Sequence, residues 1–166
     1  MNKIENLKST SRLICKTGVV FQIVSAIFTG FFLLAVIPVS ILRTTINGMS
    51  QPFTDFDHMG LVAEKLAREG KIAEAAIVVL LSATLFSLII TILMHFIVRI
   101  FQRICDDYSP FLPKNIKDLK AVSLLATLLI LQSSIGLGVI AAFIFWGITQ
   151  LYEYGCELQN QVDETL

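Results

Sequence analysis

Three stretches of the chain, residues 19–42, 75–98 and 121–152, contain no Lys, Arg, Asp or Glu. A hydrocarbon core of about 30 Å is crossed by roughly 20 helical residues, so each run is long enough to span one. With 55% hydrophobic and only 16% charged residues among 166, such a chain has no soluble globular fold open to it. The expectation is an all-α integral membrane bundle in a single domain.

The first two spans are placed at about 19–42 and 73–100. Pro38 stands near the end of the first, where it kinks a helix. The third run is 32 residues, about 48 Å as one rod, which overshoots the bilayer. A break is expected in QSSIGLG, residues 132–138, where Gln132, Ser133, Ser134, Gly136 and Gly138 supply polar groups and flexible backbone. This gives spans near 117–133 and 137–154, hence four transmembrane helices, with one tilted helix as the alternative. No cleavable leader is expected, because a polar segment precedes a run too long for one.

Charge sets the orientation. Lys3, Lys8, Arg12 and Lys16 precede the first span, and Arg99, Arg103, Lys114, Lys117 and Lys120 follow the second. Both regions read as cytoplasmic, so the segment 43–74 faces out and a closing hairpin returns the tail to the cytoplasm. In the outer segment, Thr54 and Asp57 have the spacing of a partial capping box. Phe56, Met59, Val62, Ala63 and Leu66 then repeat before Gly70. A short amphipathic outer helix over 55–69 is expected.

Catalytic patterns are missing: no HExxH, GxSxG, Walker loop or dinucleotide fingerprint occurs. Cys15, Cys105 and Cys156 are too far apart for a zinc pattern and read as reduced thiols. His58 has no nearby ligand partner, and His95 near the end of the second span reads as an interfacial imidazole rather than a catalytic base. The expectation is a protein that acts by binding, with no enzyme activity, metal or cofactor. Its net charge of zero also argues against direct nucleic-acid contact.

Two polar regions carry the remaining information. The elbow, residues 101–116, lies between the second and third spans. Phe101, Ile104 and Tyr108 continue a helical stripe into it, while Arg99 and Arg103 are expected to point to headgroups or a partner. Ser109 and Pro110 stop that helix, and Pro113 suits the first turn of the next.

The tail, residues 155–166, follows the last span. Leu151, Tyr154, Leu158 and Val162 share one helical face; Glu153, Glu157, Asn160 and Glu164 share another. Acidic groups at a helix C-terminus oppose its dipole, and a basic partner relieves this; the elbow is the nearest one in the chain.

The elbow's Pro110, Phe111, Asn115 and Leu119, with the tail's Glu153, Gly155, Leu158, Gln159, Asp163 and Thr165, resemble the signatures of domain-of-unknown-function family 2975. These are small bacterial membrane proteins. The resemblance implies four helices with both termini in the cytoplasm, no established catalysis, and company with small helix-turn-helix regulators. The paired basic and acidic surfaces, together with these two stretches, lead to the expectation that Arg99, Arg103, Pro110, Phe111, Asn115, Lys117, Glu153, Glu157, Gln159 and Asp163 form the binding face of a sensor or regulatory subunit in the bacterial inner membrane. The alternative is an oligomeric channel or transporter, with Gln132, Ser133, Ser134 and the stripe Thr84, Ser87, Thr91 and His95 lining its path.

Overall fold

The computed structural model describes residues 3–48, 60–107 and 111–164, and among them every regular element is helical. In order these are α1 (Lys3–Ile41), α2 (Arg43–Gly48), α3 (Leu61–Arg68), α4 (Ile72–Asp107), a 3-10 turn (Pro113–Asn115), α5 (Ile116–Ser133) and α6 (Ile135–Glu164). Helices α1 and α4 outrun their charge-free cores because no Pro or Gly stands between Lys3 and Thr17 or between Ile72 and Asp107.

Among the described residues three helices, Ser9–Ile41, Ile72–Asp107 and Ile135–Val162, are long and apolar enough to cross a membrane. Their large side chains face outward: Phe31 is 64% exposed, Leu34 64% and Phe143 67%. Apolar surface on this scale is stable only against hydrocarbon. The chain has the make-up of a multi-span membrane protein. Helix α5 is outside this set because Lys117, Asp118 and Lys120 occupy its first turns. Its uncharged part, residues 121–133, extends only about 20 Å.

The chain divides into two compact units, one of Met1–Ile23 with Ile89–Leu166 and one of Val24–Leu88. In the first, α5 and α6 form an antiparallel hairpin. Leu131 lies against Gly138, Ser123 against Thr149 and Lys120 against Glu153, so one number falls as the other rises. The break falls inside QSSIGLG at a single residue, Ser134, whose backbone is extended (φ −160°, ψ 127°). Its carbonyl accepts the Gly138 N–H at 2.9 Å, which starts α6 without a linker. The outcome is a hairpin, although α6 runs 30 residues rather than stopping near 154. In the same unit, Gly18 of α1 lets Val98 of α4 approach so closely that a β-carbon would stand 2.6 Å from it.

In the second unit, α1 and α4 are joined by a reciprocal serine pair. Ser25 Oγ donates to the Ser87 carbonyl and Ser87 Oγ to the Ser25 carbonyl, both at 2.8 Å, and Thr29 Oγ1 donates to Ser87 Oγ at 2.9 Å. Hydroxyls used this way join helices where no water competes.

Helix α3 packs Ala63 and Ala67, at most 1% exposed, against Ala75 of α4. It closes on Gly70 (φ 78°), where Gly70 N–H reaches the Ala67 carbonyl and Lys71 N–H the Leu66 carbonyl, a Schellman pair. Two sequence readings change here. The outer helix does not run unbroken from 55, because Gly60 takes φ 86°; and Val62 is 63% exposed, since the buried face is centred on Ala63 and Ala67. Thr54, Phe56, Asp57, His58 and Met59 lie outside the described residues.

The α3–α4 corner is tied by Glu69, which accepts a 2.8 Å hydrogen bond from Lys71 Nζ. That bond holds the Glu69 carboxyl below its ordinary value and the Lys71 ammonium above its own. From α2, Asn47 Oδ1 accepts the Ala73 N–H at 2.8 Å, serving as a remote N-cap of α4. Asn47 Nδ2 and Arg43 Nε donate to the two oxygens of Glu74 at 2.9 and 2.8 Å.

Candidate functional site: the elbow against the C-terminal helix

Three contacts fix the segment after α4: one ties α4 to the start of α5, and two tie the elbow and α5 to α6. The first centres on Asp118, whose side chain is 10% exposed and sits in the first turn of α5. Arg103 Nη1 donates to Asp118 Oδ2 at 2.7 Å, and to Asn115 Oδ1 and the Lys114 carbonyl at 3.0 Å each. Arg99 Nε lies 3.5 Å from the same carboxylate oxygen. One guanidinium nitrogen, its two N–H shared among three acceptors, thus joins α4 to the start of α5. Asn115 is 0% exposed, and its Nδ2 has no acceptor among the described residues.

The second contact is aromatic. Phe111 packs on Gly155, and the centroid of its ring is 5.6 Å from that of Tyr152, tilted by 53°. The Tyr152 hydroxyl accepts the Leu112 N–H at 2.9 Å, so the elbow backbone is held by a side chain of α6. A β-carbon at 155 would collide with the Phe111 ring, about one turn beyond the end of the charge-free run at Tyr152.

The third contact is ionic. Lys120 Nζ stands 2.6 Å from Glu153 Oε1, with side chains 57% and 29% exposed. The basic partner that the tail's acids call for is therefore supplied at Glu153. At partly exposed sites such a pair adds at most about 1 kcal/mol, and it fixes register more than it stabilises.

The residues singled out in the sequence divide clearly. Phe111, Asn115, Arg99, Arg103 and Glu153 come together here. Arg103 points inward to Asp118 rather than to headgroups or a partner, because the buried carboxylate is the stronger acceptor. Lys117 and Glu157 are exposed, Gln159 is half-buried, and Asp163 lies on the last turn of α6. Pro110, Tyr108, Ser109 and Thr165 lie outside the described residues. Tyr152 and Asp118 join the site although the sequence did not single them out, whereas Lys120 belongs to the basic run expected to meet the tail; Gly155 is one of four glycines in α6, so spacing alone did not mark it as the packed one.

On the other face of α6, Leu151 (72% exposed), Tyr154 (59%) and Leu158 (44%) follow in a row, with Glu157 on the side towards Glu153. Elsewhere, Ser87 is committed to Ser25, and Thr84 Oγ1 donates to its own helix at Leu80. His95 is exposed, with its ring edge-on to Phe96 at 6.0 Å, and Gln132 is exposed near the hairpin tip. Among the described residues no three His, Cys, Asp or Glu side chains converge, and Cys15, Cys105 and Cys156 form no disulfide.

No family model, curated protein or solved structure matches the chain.

Proposed function

We propose that this is a small four-span protein of the bacterial cytoplasmic membrane that acts by binding, as a sensor or regulatory subunit. Its working surface is one piece made of the elbow and the C-terminal helix, on the cytoplasmic side, and its partner is a protein.

The hairpin supports the four-span count. Because a single residue, Ser134, joins α5 to α6, the two helices enter the bilayer together, and the depth reached by α6 is shared by α5. From the Lys120–Glu153 level to the tip, residues 135–152 cover about 27 Å, close to a hydrocarbon thickness. Lys117 and Lys120 then lie at the interface, where their stems snorkel.

The observation that carries the binding reading is the Phe111–Gly155 contact. It joins the two stretches whose residues resemble family 2975, and with Tyr152 and Lys120 it ties Phe111 and Leu112 of the elbow and the start of α5 to the start of the tail. A preorganised surface loses less entropy on binding than a loose tail. Beyond the hydrocarbon level it offers exposed apolar side chains one turn apart, Tyr154 and Leu158, flanked by the exposed Glu157. A pair of this spacing beside an acid suits a basic amphipathic helix. By the same resemblance, a small helix-turn-helix regulator is the partner to look for first.

The test is purification of the intact chain in mild detergent with identification of what accompanies it, beside Leu158→Asp and Glu157→Lys forms. The reading expects one protein to be lost from both variants while the fold is kept. Identical companions in all three preparations would refute it.

A further inference from the structure

Between α5 and α6, on the face away from Leu151 and Leu158, runs an open groove of about 360 Å³. Its walls are Leu124 and Thr127 on one helix and Phe145 and Trp146 on the other, and its polar end is formed by Lys120 and Gln150. The wall hydroxyls are already committed: Thr127 Oγ1 donates to the Ser123 carbonyl at 2.7 Å and Thr149 Oγ1 to the Phe145 carbonyl at 2.8 Å. The body of the groove is thus apolar in effect. Along α6 it covers the two turns from Ala142 to Gln150, about 12 Å.

At the polar end the lining residue Lys120 is paired with Glu153, which stands just beyond the lining. Lys120 Nζ and Glu153 Oε1 are 2.6 Å apart, both partly exposed, with Gln150 Nε2 at 3.5 Å from the second Glu153 oxygen. An apolar slot that ends in an adjacent cation and anion is complementary to one kind of amphiphile. We infer that this groove is a binding site for a phospholipid with a phosphoethanolamine headgroup, its acyl chain lying along Leu124 and Trp146, its phosphate at Lys120 and its ammonium at Glu153.

The alternatives fit less well on charge. A purely anionic headgroup gains Lys120 but meets the repulsion of Glu153 at the same distance. A phosphocholine headgroup has the right charges, but its quaternary ammonium has no N–H to donate to the carboxylate. A primary ammonium has three donors, and its hydrogen bond to an ionised acceptor is of the stronger class. Volume and shape are in the range of ligand grooves lined by apolar walls with a few placed polar groups. The inference rests on the membrane-spanning reading of the hairpin, not on the protein partner.

The chain's single tryptophan, Trp146, lines the groove and is 64% exposed, so it reports occupancy directly. The intact protein is reconstituted in phosphatidylcholine vesicles, and its fluorescence is followed as phosphatidylethanolamine brominated on the acyl chain replaces the host lipid. Brominated phosphatidylglycerol and brominated phosphatidylcholine serve as parallel titrants. The expected result is half-maximal quenching by the ethanolamine lipid at a mole fraction roughly fivefold lower than for the other two, the increment that a partly exposed charge contact supplies. Lys120→Gln and Glu153→Gln should each erase the preference. Lys114→Gln, on an exposed residue away from the groove, should keep it. Equal quenching by all three lipids in the unmodified protein, which needs no variant to fold, would mean ordinary boundary lipid and overturn the inference. A preference that survives both charge removals would overturn it too. Quenching by none of the lipids would place Trp146 outside hydrocarbon and remove the membrane reading beneath it.

Discussion

The ring of Phe111 occupies the space that a β-carbon on residue 155 needs: such an atom would stand 2.5 Å from Cε1 and 2.6 Å from Cδ1. Ordinarily Gly→Ala in a helix gains up to about 1 kcal/mol. At 155 that gain is opposed by overpacking, which costs about 1–3 kcal/mol. Gly155→Val is therefore expected to lower stability in detergent and to expel Phe111 from its seat. Combining it with Phe111→Ala should return part of the loss, a coupling that a double-mutant cycle of thermal midpoints measures. Strict additivity would argue against the contact.

Arg103 makes a sharper demand. Its Nη1 serves Asp118, Asn115 and the Lys114 carbonyl together, and Arg103→Ala leaves a carboxylate of 10% exposure without its main donor. The expected loss is about 3 kcal/mol, since removing one partner of a largely buried pair strands the other. Arg103→Lys keeps the charge on a shorter side chain whose ammonium does not reach the same position as Nη1, and should recover only part of it. Unfolding of the three forms under one detergent condition checks the order.

Two glycines of α6 make opposite predictions. A β-carbon on Gly138 would lie 2.8 Å from the Leu131 backbone, which cannot yield as a side-chain tip can; one on Gly147 meets nothing within 4 Å. Gly138→Ala should destabilise the hairpin by about 1–3 kcal/mol, whereas Gly147→Ala should be neutral or stabilising by up to about 1 kcal/mol. Thermal midpoints of both variants decide it, and a harmless Gly138→Ala would contradict the tight corner at Ser134.

The α3–α4 corner responds to pH in a definite direction. Glu69's carboxyl titrates below its ordinary value because Lys71 donates to it, so its contribution is present above the usual carboxylate range and is lost as pH falls through the lowered value. Lys71 behaves in mirror image: its contribution is present below its ordinary value and is lost as pH rises through the raised one. Both groups are exposed, so the effect is small and screened by salt. A carboxyl carbon titration should find Glu69 low and find it return upward in Lys71→Ala; an unmoved midpoint would remove the pair.

Period and charge made the helices legible in the sequence, while contacts between distant segments were not. The charge-free runs lie within α1, α4 and the α5–α6 hairpin because hydrocarbon leaves the backbone little choice but helix. Gly and Ser located the break in QSSIGLG to within a few residues, and Gly70 ended α3 as its open φ > 0 region permits. The tail's two-faced spacing was readable for the same reason. What the spacing could not tell was which neighbour each face meets. Glu153 meets Lys120, Arg103 turns inward to Asp118, and Tyr152 reaches a backbone N–H forty residues away. Ser87 likewise sits on a hydroxyl stripe that period alone fits to a pore or to a partner helix, and Ser25 decides for the partner. Val62 was misplaced because neighbouring helical positions differ by about 100°, and only the depth of Ala63 and Ala67 orients the face.

The central claim is that the elbow and the C-terminal helix form one surface on the cytoplasmic side of the membrane. In a chain whose three cysteines are replaced by Ala, single cysteines at Lys117, Asn160 and Lys65, all exposed positions, are exposed in intact cells to a membrane-impermeant maleimide. The account predicts labelling of the Lys65→Cys form from outside, and of the Lys117→Cys and Asn160→Cys forms only after permeabilisation. Labelling of either Lys117→Cys or Asn160→Cys in sealed cells would contradict it.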